Sequence, residues 1–315
     1  MMAEHNLPST LIERMPTVRG RITANEPMAR YTWFKVGGPA EVFFRPADEQ
    51  DLAEFLQEIS DDVPIFILGN ASNLIVRDGG IEGVVIRLGS AFSQISIEGL
   101  DISAGAGAAD QIVSRRACDG GIAGLEFLSG IPGTLGGAVV MNGGAYGSDV
   151  SEICTSVRCV DRSGQIHECA ANTLGFSYRH SKIDPNWIIT DVRLRGIAGD
   201  KTEISKRMEA IQSERGVTQP VKTLTGGSTF ANPDNHKAWQ LIDQAGCRGL
   251  KCGGAMVSEL HCNFLINTGD ATAQDIETLG EEVRRRVFER SGVRLEWEVR
   301  RVGQPIDRDI RGVTA

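Results

Sequence analysis

The chain has 315 residues, 41% hydrophobic and 23% charged, with a net charge of −8 and a mean hydropathy of −0.14. That length exceeds one ordinary core, so two or three domains are expected. The acidic balance without a Lys/Arg-rich tract argues against a nucleic-acid partner, and no apolar run approaches the roughly 20 residues that span a bilayer.

Residues 1–24 read as a mobile lead-in, and Met1–Arg14 lacks the apolar core of a signal peptide. Phe43–Phe44 and a turn at Pro46 precede a helix from Asp48, with Leu52, Phe55, Leu56 and Ile59 on one face. Pro64–Leu68 is a short buried strand that runs into Gly69–Asn73. Leu74–Val76 and Val84–Leu88 follow as strands, which makes an α/β unit through about residue 88.

A second unit starts near Ile95. Asp101–Ala104 reads as a weak strand, and Ala109–Asp119 as a helix with Ile112, Val113 and Ala117 inward, stopped at Gly120–Gly121. Ser156–Val160, Gln165–Cys169 and Trp187–Leu194 are strands. A helix over Thr202–Glu214, with Ile204, Met208 and Ile211 on its stripe, ends at Gly216.

The remaining hundred residues read as a separate α+β domain. Lys237–Ala245 is a short helix closed by Gly246. Thr272–Arg290 is a long helix capped by Thr272, with Asp275 at N3 and Ser291–Gly292 as its stop. Val293–Arg300 alternates as a strand, placing Val293, Leu295, Trp297 and Val299 on one face and Arg294, Glu296, Glu298 and Arg300 on the other. The seven cysteines are scattered and form no C-x-x-C pair, which suits reduced thiols in a cytoplasmic protein and no metal site.

Glycine is the compositional outlier, with 37 residues, about 12% against an average of roughly 7%. Two glycine segments suit an anionic cofactor. Gly69–Asn73 is a tight turn directly after a buried strand, with backbone N–H groups and small polar side chains free to meet an oxyanion. Gly130–Gly147 holds seven glycines in eighteen residues and no Lys or Arg. A diphosphate there is neutralised by backbone donors, which glycine lets approach closely. Gly105-Ala-Gly107-Ala-Ala-Asp110 competes as a dinucleotide fingerprint. Its third glycine is Asp110 and no acidic residue follows about 20 positions on, so a Rossmann reading is rejected.

The motifs GNASNLIVRDGG (Gly69–Gly80), GLEFLSGIPGTLGGAVVMNGGAYG (Gly124–Gly147), SYR (Ser177–Arg179), GGSTFANP (Gly226–Pro233) and LEWEVRRVG (Leu295–Gly303) occur in this order. Together they resemble the UDP-N-acetylenolpyruvoylglucosamine reductase family across residues 25–303. The short stretch after Arg179 resembles its second type, without an inserted tyrosine-bearing loop. The resemblance implies an α+β protein: a two-subdomain FAD-binding fold of the vanillyl-alcohol-oxidase type, then a C-terminal α+β substrate-binding domain. The division is 1–24 lead-in, 25–90 and 91–200 FAD-binding subdomains, 201–303 substrate domain and 304–315 tail.

It also implies a reaction in peptidoglycan precursor synthesis. NADPH reduces non-covalent FAD, and N5 of the flavin delivers hydride to C3 of an enolpyruvyl group carried by UDP-N-acetylglucosamine; a proton then reaches C2. By motif matching, Arg179 resembles the carboxylate-polarising arginine, Ser228 the proton donor and Glu298 the carboxylate partner. Strand alternation leaves Glu296 and Glu298 equivalent, and the family motif, with its glutamate before Val-Arg, selects Glu298. Cofactor contacts are expected from Gly69, Asn70, Ala71, Ser72, Asn73, Ile131, Pro132, Gly133, Thr134, Gly137, Val140, Gly144, Ala145 and Arg215. Substrate contacts are expected from Tyr146, Tyr178, Lys222, Asn232 and His261. Many relatives carry lysine at the place of Ala231 and some at that of Thr218, so one cation for the UDP phosphates is either missing here or replaced, with Lys222 the candidate.

Two other functions compete: an oxidase of the same fold, and a non-catalytic nucleotide-sugar binder. Oxidases of this fold often tether flavin through His or Cys. Here neither occurs between His5 and Cys118 or between Cys118 and Cys154, which favours dissociable FAD.

Overall fold

The computed structural model describes residues 10–306 and 313–314; residues 1–9, 307–312 and 315, parts of the expected lead-in and tail, lie outside them. The first sheet runs Arg21–Pro27, Pro39–Arg45, Ile81–Arg87, Ile65–Leu68, antiparallel at the first pairing and parallel at the other two. Its opening strand begins inside the segment expected as a mobile lead-in, because Ile22 and Thr23 pair with Phe44 and Phe43. Parallel neighbours need a crossover. Helix α1 (Glu49–Glu58) lies in that connection, capped by the Asp48 side chain, and its Leu52, Phe55 and Leu56 bury against Val42, Phe44, Val84 and Ile86.

The second sheet is antiparallel throughout, in the order Ile166–Ala170, Cys154–Val160, Ile188–Arg195, Asp101–Gly105, Ile95–Glu98. Helices α2 (Asp110–Asp119) and α3 (Leu135–Val140) share its core through Val113, Ala117, Leu135 and Val139. Ile112, expected inward, is 46% exposed. The helical pitch puts Val113 and Ala117, four apart, on the core and turns their neighbour to the flank.

Helix α4 (Lys201–Thr218) runs through the expected stop at Gly216. A lone glycine weakens a helix without ending it, and Pro220 is the stronger breaker. Its buried Ile204 and Met208 pack with Ala123 and Cys118, so this helix, expected to open the third unit, lies on the second.

Helices α5 (Ala238–Gln244) and α6 (Ala273–Ser291) pack in the third core. The sheet beside them is Leu224–Thr225, Leu265–Asn267, Ala255–Val257, Lys251–Cys252 and Val313–Thr314, the last drawn from the expected tail. α6 starts on a capping box between Thr272 and Asp275 and ends at Gly292, whose φ is 73°. Ile276, Leu279, Val283 and Val287 form its buried stripe.

The expected strand over 293–300 is not one. Only Trp297 bridges, to Phe230, and regular pairing begins at Arg300–Val302. The Thr229 carbonyl accepts from both Glu298 and Val299, which breaks a regular ladder. Alternation still governs burial, with Leu295 and Val299 in the core. Arg300–Val302 then pairs in parallel with Leu74–Val76, tying the end of the chain to the first unit. Among the described residues no helix is long and apolar enough to cross a membrane, and all seven cysteines are free.

Candidate active site

The two glycine segments, about sixty residues apart in sequence, meet. Gly69 leaves its strand so close to Thr134 that a Cβ would fall 2.6 Å from Thr134 Oγ1. Asn70 Nδ2 donates to the carbonyls of Pro132 (3.4 Å) and Gly133 (3.2 Å). Ala71 turns the chain with a φ of 49°. Among the described residues, the backbone N–H groups of Asn70, Ala71, Ser72, Asn73, Gly133 and Thr134 donate to no protein acceptor. Partly buried donors left free in a cluster are what an anionic group would satisfy. A dinucleotide cofactor therefore fits here.

The rejected fingerprint behaves differently. The amides of Gly105, Ala106, Gly107, Ala108 and Asp110 all donate to protein carbonyls, so no phosphate cradle exists there. Instead it backs the second glycine segment: Leu135 N–H donates to Ala108 O and Gly136 N–H to Ala106 O.

Further along that segment, Gly137 lies beside Thr134 Oγ1, and the Val140 carbonyl accepts from Ser181 Oγ. Ile131 and Ala145 are half-buried, and Ala145 pairs with Ser148. Arg215 is half-buried without a carboxylate partner among the described residues; its Nε donates to Gln219 Oε1 at 3.2 Å. Burial pulls its pKa down while the Tyr146 hydroxyl opposes, leaving a cation available to an anionic ligand.

Three sequence-predicted residues come together from distant parts of the chain. Arg179 sits in a tight turn between Ser177 and His180 with a φ of 55°. Its Nε donates to Glu298 Oε1 at 3.2 Å, and a Cβ on Gly144 would stand 3.1 Å from its Nη1. Glu298 is held by backbone: its N–H donates to Thr229 O at 2.9 Å, and its carbonyl accepts from Asn73 Nδ2 at 3.1 Å. Ser228 directly precedes Thr229, is half-buried, and its hydroxyl makes no protein hydrogen bond among the described residues. Burial raises the Glu298 pKa and the Arg179 guanidinium pulls it back.

Tyr178 lays its ring against the Arg179 guanidinium, 5.3 Å from the centroid, and is 64% exposed. Tyr146 faces α4 instead: its hydroxyl donates to Ile211 O at 3.3 Å and its ring covers Gly130. Other contacts point elsewhere. Asn232 Oδ1 accepts from Ala238 N–H at the start of α5, and His261 Nδ1 accepts from Asn263 N–H while its ring meets Phe264 and Trp239. Lys222 is exposed and forms no ion pair among the described residues. Sequence reading met Asp110 only as the flaw in a fingerprint; it lies completely buried beside Gly133.

Residues 219–302 match the C-terminal domain family of UDP-N-acetylenolpyruvoylglucosamine reductase, and residues 40–170 match an FAD-binding domain family. The UDP-N-acetylenolpyruvoylglucosamine reductase of Azorhizobium caulinodans is 55% identical over 95% of this chain and 97% of its own length. The protein of that name from Parvibaculum lavamentivorans is 55% identical over 94% of this chain and 95% of its own. The crystal structure of UDP-N-acetylenolpyruvylglucosamine reductase from Thermus caldophilus superimposes with a TM-score of 0.78 at 35% identity, covering 90% of this chain and 99% of that one. The α+β architecture expected from the sequence, an FAD-binding fold followed by a C-terminal α+β domain, is the fold found. On relatives matched along nearly their whole length, the chain belongs to the UDP-N-acetylenolpyruvoylglucosamine reductase family of FAD-binding oxidoreductases.

Proposed function

We propose that this chain reduces the enolpyruvyl group of UDP-N-acetylglucosamine enolpyruvate to UDP-N-acetylmuramate, with NADPH as electron donor. The observation that carries the reading is the Arg179–Glu298 pair next to Ser228, fastened to the turn whose free amides suit FAD. Bound FAD supplies the hydride chemistry, and the side chains do the rest. By accepting at Nε, Glu298 leaves the two terminal nitrogens of Arg179 for the substrate carboxylate. That carboxylate is where charge develops as C3 gains hydride, so a fixed guanidinium there lowers the barrier. The Ser228 hydroxyl, free of protein partners, delivers the proton to C2.

Residues 25–90 and 91–200 hold the cofactor through the two glycine segments, and Arg215 reaches it from α4. Residues 201–303 take the nucleotide sugar, with α4 at the border. Tyr178, stacked on the Arg179 guanidinium, faces the substrate side; Tyr146, Asn232 and His261, expected there, make their side-chain contacts with α4, the start of α5 and the Phe264 ring. Lys222, exposed and outside any ion pair among the described residues, is the candidate cation for the UDP phosphates, since Ala231 and Thr218 stand in place of lysine.

The test is NADPH oxidation with and without the enolpyruvyl sugar, repeated with NADH and with Ser228→Ala. Consumption matching the sugar supplied, and slower with NADH, is expected. The alanine variant is expected to reduce its flavin normally yet turn over the sugar at least a hundredfold more slowly. Unchanged turnover removes Ser228 from the mechanism. Rapid peroxide release in place of sugar reduction makes the protein an oxidase.

A further inference from the structure

Asp110 opens α2 and is completely buried. Neither carboxyl oxygen completes a hydrogen bond, a rare state for a group whose desolvation is costly. Its backbone N–H donates to Gly133 O at 3.3 Å, and a Cβ on Gly133 would fall 2.7 Å from Asp110 Oδ2. The carboxyl therefore presses on the underside of the Gly133–Thr134 turn. Across that turn lie Gly69 and Asn70, and the Gly133 and Thr134 amides are among those left without acceptors.

From this stacking we propose that Asp110 is a positioning residue for the flavin nucleotide: sealed beneath Gly133, it sets the turn so that the Thr134 amide faces the cofactor's diphosphate. The inference rests on the reading of the two glycine segments as the FAD site. Burial drives the carboxyl well above the ordinary carboxylate range, with the Gly133 amide pulling weakly the other way. A neutral acid leaves the turn's amides to the phosphates; an ionised one would compete for them and repel the diphosphate. A buried polar group without partners carries a desolvation cost that an apolar group of the same shape does not.

Three variants and wild type are compared by the rate of FAD release from the holoenzyme and by the FAD Kd, both read from flavin fluorescence. Melting temperatures are taken with FAD at about a hundredfold excess over each protein's own Kd, so that ligand linkage contributes equally. For Asp110→Ala the expected result is a Kd at least tenfold higher with a melting temperature no lower than wild type. Asp110→Leu, which fills the space without polar atoms, serves the same purpose if the alanine variant does not fold. Asp110→Asn, neutral and of the same shape, is expected within threefold of wild type. The proposal is overturned if the apolar variants keep FAD affinity, or if affinity falls only alongside a matching loss of melting temperature. Gly69→Val separates the two readings: if it retains FAD, the glycine-segment site itself is wrong and this inference goes with it. If Gly69→Val loses FAD and the Asp110 variants do not, only the role of Asp110 fails.

Discussion

Arg179 Nε stands 3.2 Å from Glu298 Oε1, and Asn73 Nδ2 reaches the carbonyl of that same glutamate at 3.1 Å. One residue thus links a turn of the second unit, the irregular end of the third and the glycine turn of the first. The pair is only partly open to solvent, with the Arg179 side chain 30% exposed and that of Glu298 18%. Its loss leaves a carboxylate in a site that penalises charge.

Arg179→Ala is expected to lower kcat about 10²–10³-fold, the scale for losing one donor to developing charge. It should also cost roughly 1–3 kcal/mol of stability by stranding Glu298. Arg179→Lys should recover less than a tenth of the lost rate, because a point charge cannot bond Glu298 and a substrate carboxylate through one planar fork. Steady-state kinetics and urea unfolding check both; a lysine variant at wild-type rate would refute the fork argument.

Glu298 carries a pH signature. Burial raises its folded-state pKa above the ordinary glutamate value, with Arg179 opposing. A raised carboxyl pKa contributes stability that is fully present below the unfolded pKa and is lost as pH rises through the folded one. The stability of wild type relative to Glu298→Gln is therefore expected to improve on going from pH 7 to pH 4, as read from urea midpoints. In kcat, wild type should show an acid limb above the ordinary glutamate range, from protonation of the group that holds Arg179. Glu298→Gln should be slow at every pH and lack that limb.

Gly136 is where the rejected fingerprint and the second glycine segment lie back to back. A Cβ there would sit 2.9 Å from Ala106 Cβ and 3.1 Å from Ala106 O. Gly136→Ala is expected to cost about 1–3 kcal/mol by overpacking and to speed FAD release by displacing the turn before it. Calorimetry and flavin fluorescence measure the two effects.

Far from the chemistry, Thr272→Ala removes one side of the capping box of α6. A loss of about 1 kcal/mol is expected, with kcat and KM unchanged. A change in kcat would show that α6 is coupled to the site.

The local features of this protein were legible from its sequence. The α6 cap, stripe and glycine stop, the Asp48 start of α1 and the strand before Gly69 all follow from contacts within a few residues, although that strand, expected buried, buries only Leu68 and exposes Ile67. Motif order named Arg179, Ser228 and Glu298. Where reading failed, long-range contacts had the deciding vote. Thr23 became strand because Phe43 lay beside it, and α4 outran Gly216 to settle on the second unit. The 293–299 segment kept its burial rhythm but lost its ladder to a shared carbonyl. The sequence by itself determined most of the elements and the family and supplied the residues proposed for the chemistry, since these depend on propensity, pattern and motif. Only the tertiary structure decided that Gly69 meets Thr134, that Glu298 reaches Asn73, and that Asp110 lies buried beneath Gly133. Those contacts join residues tens to hundreds of positions apart, and hydrophobic burial of whole faces, not local preference, sets which of them meet.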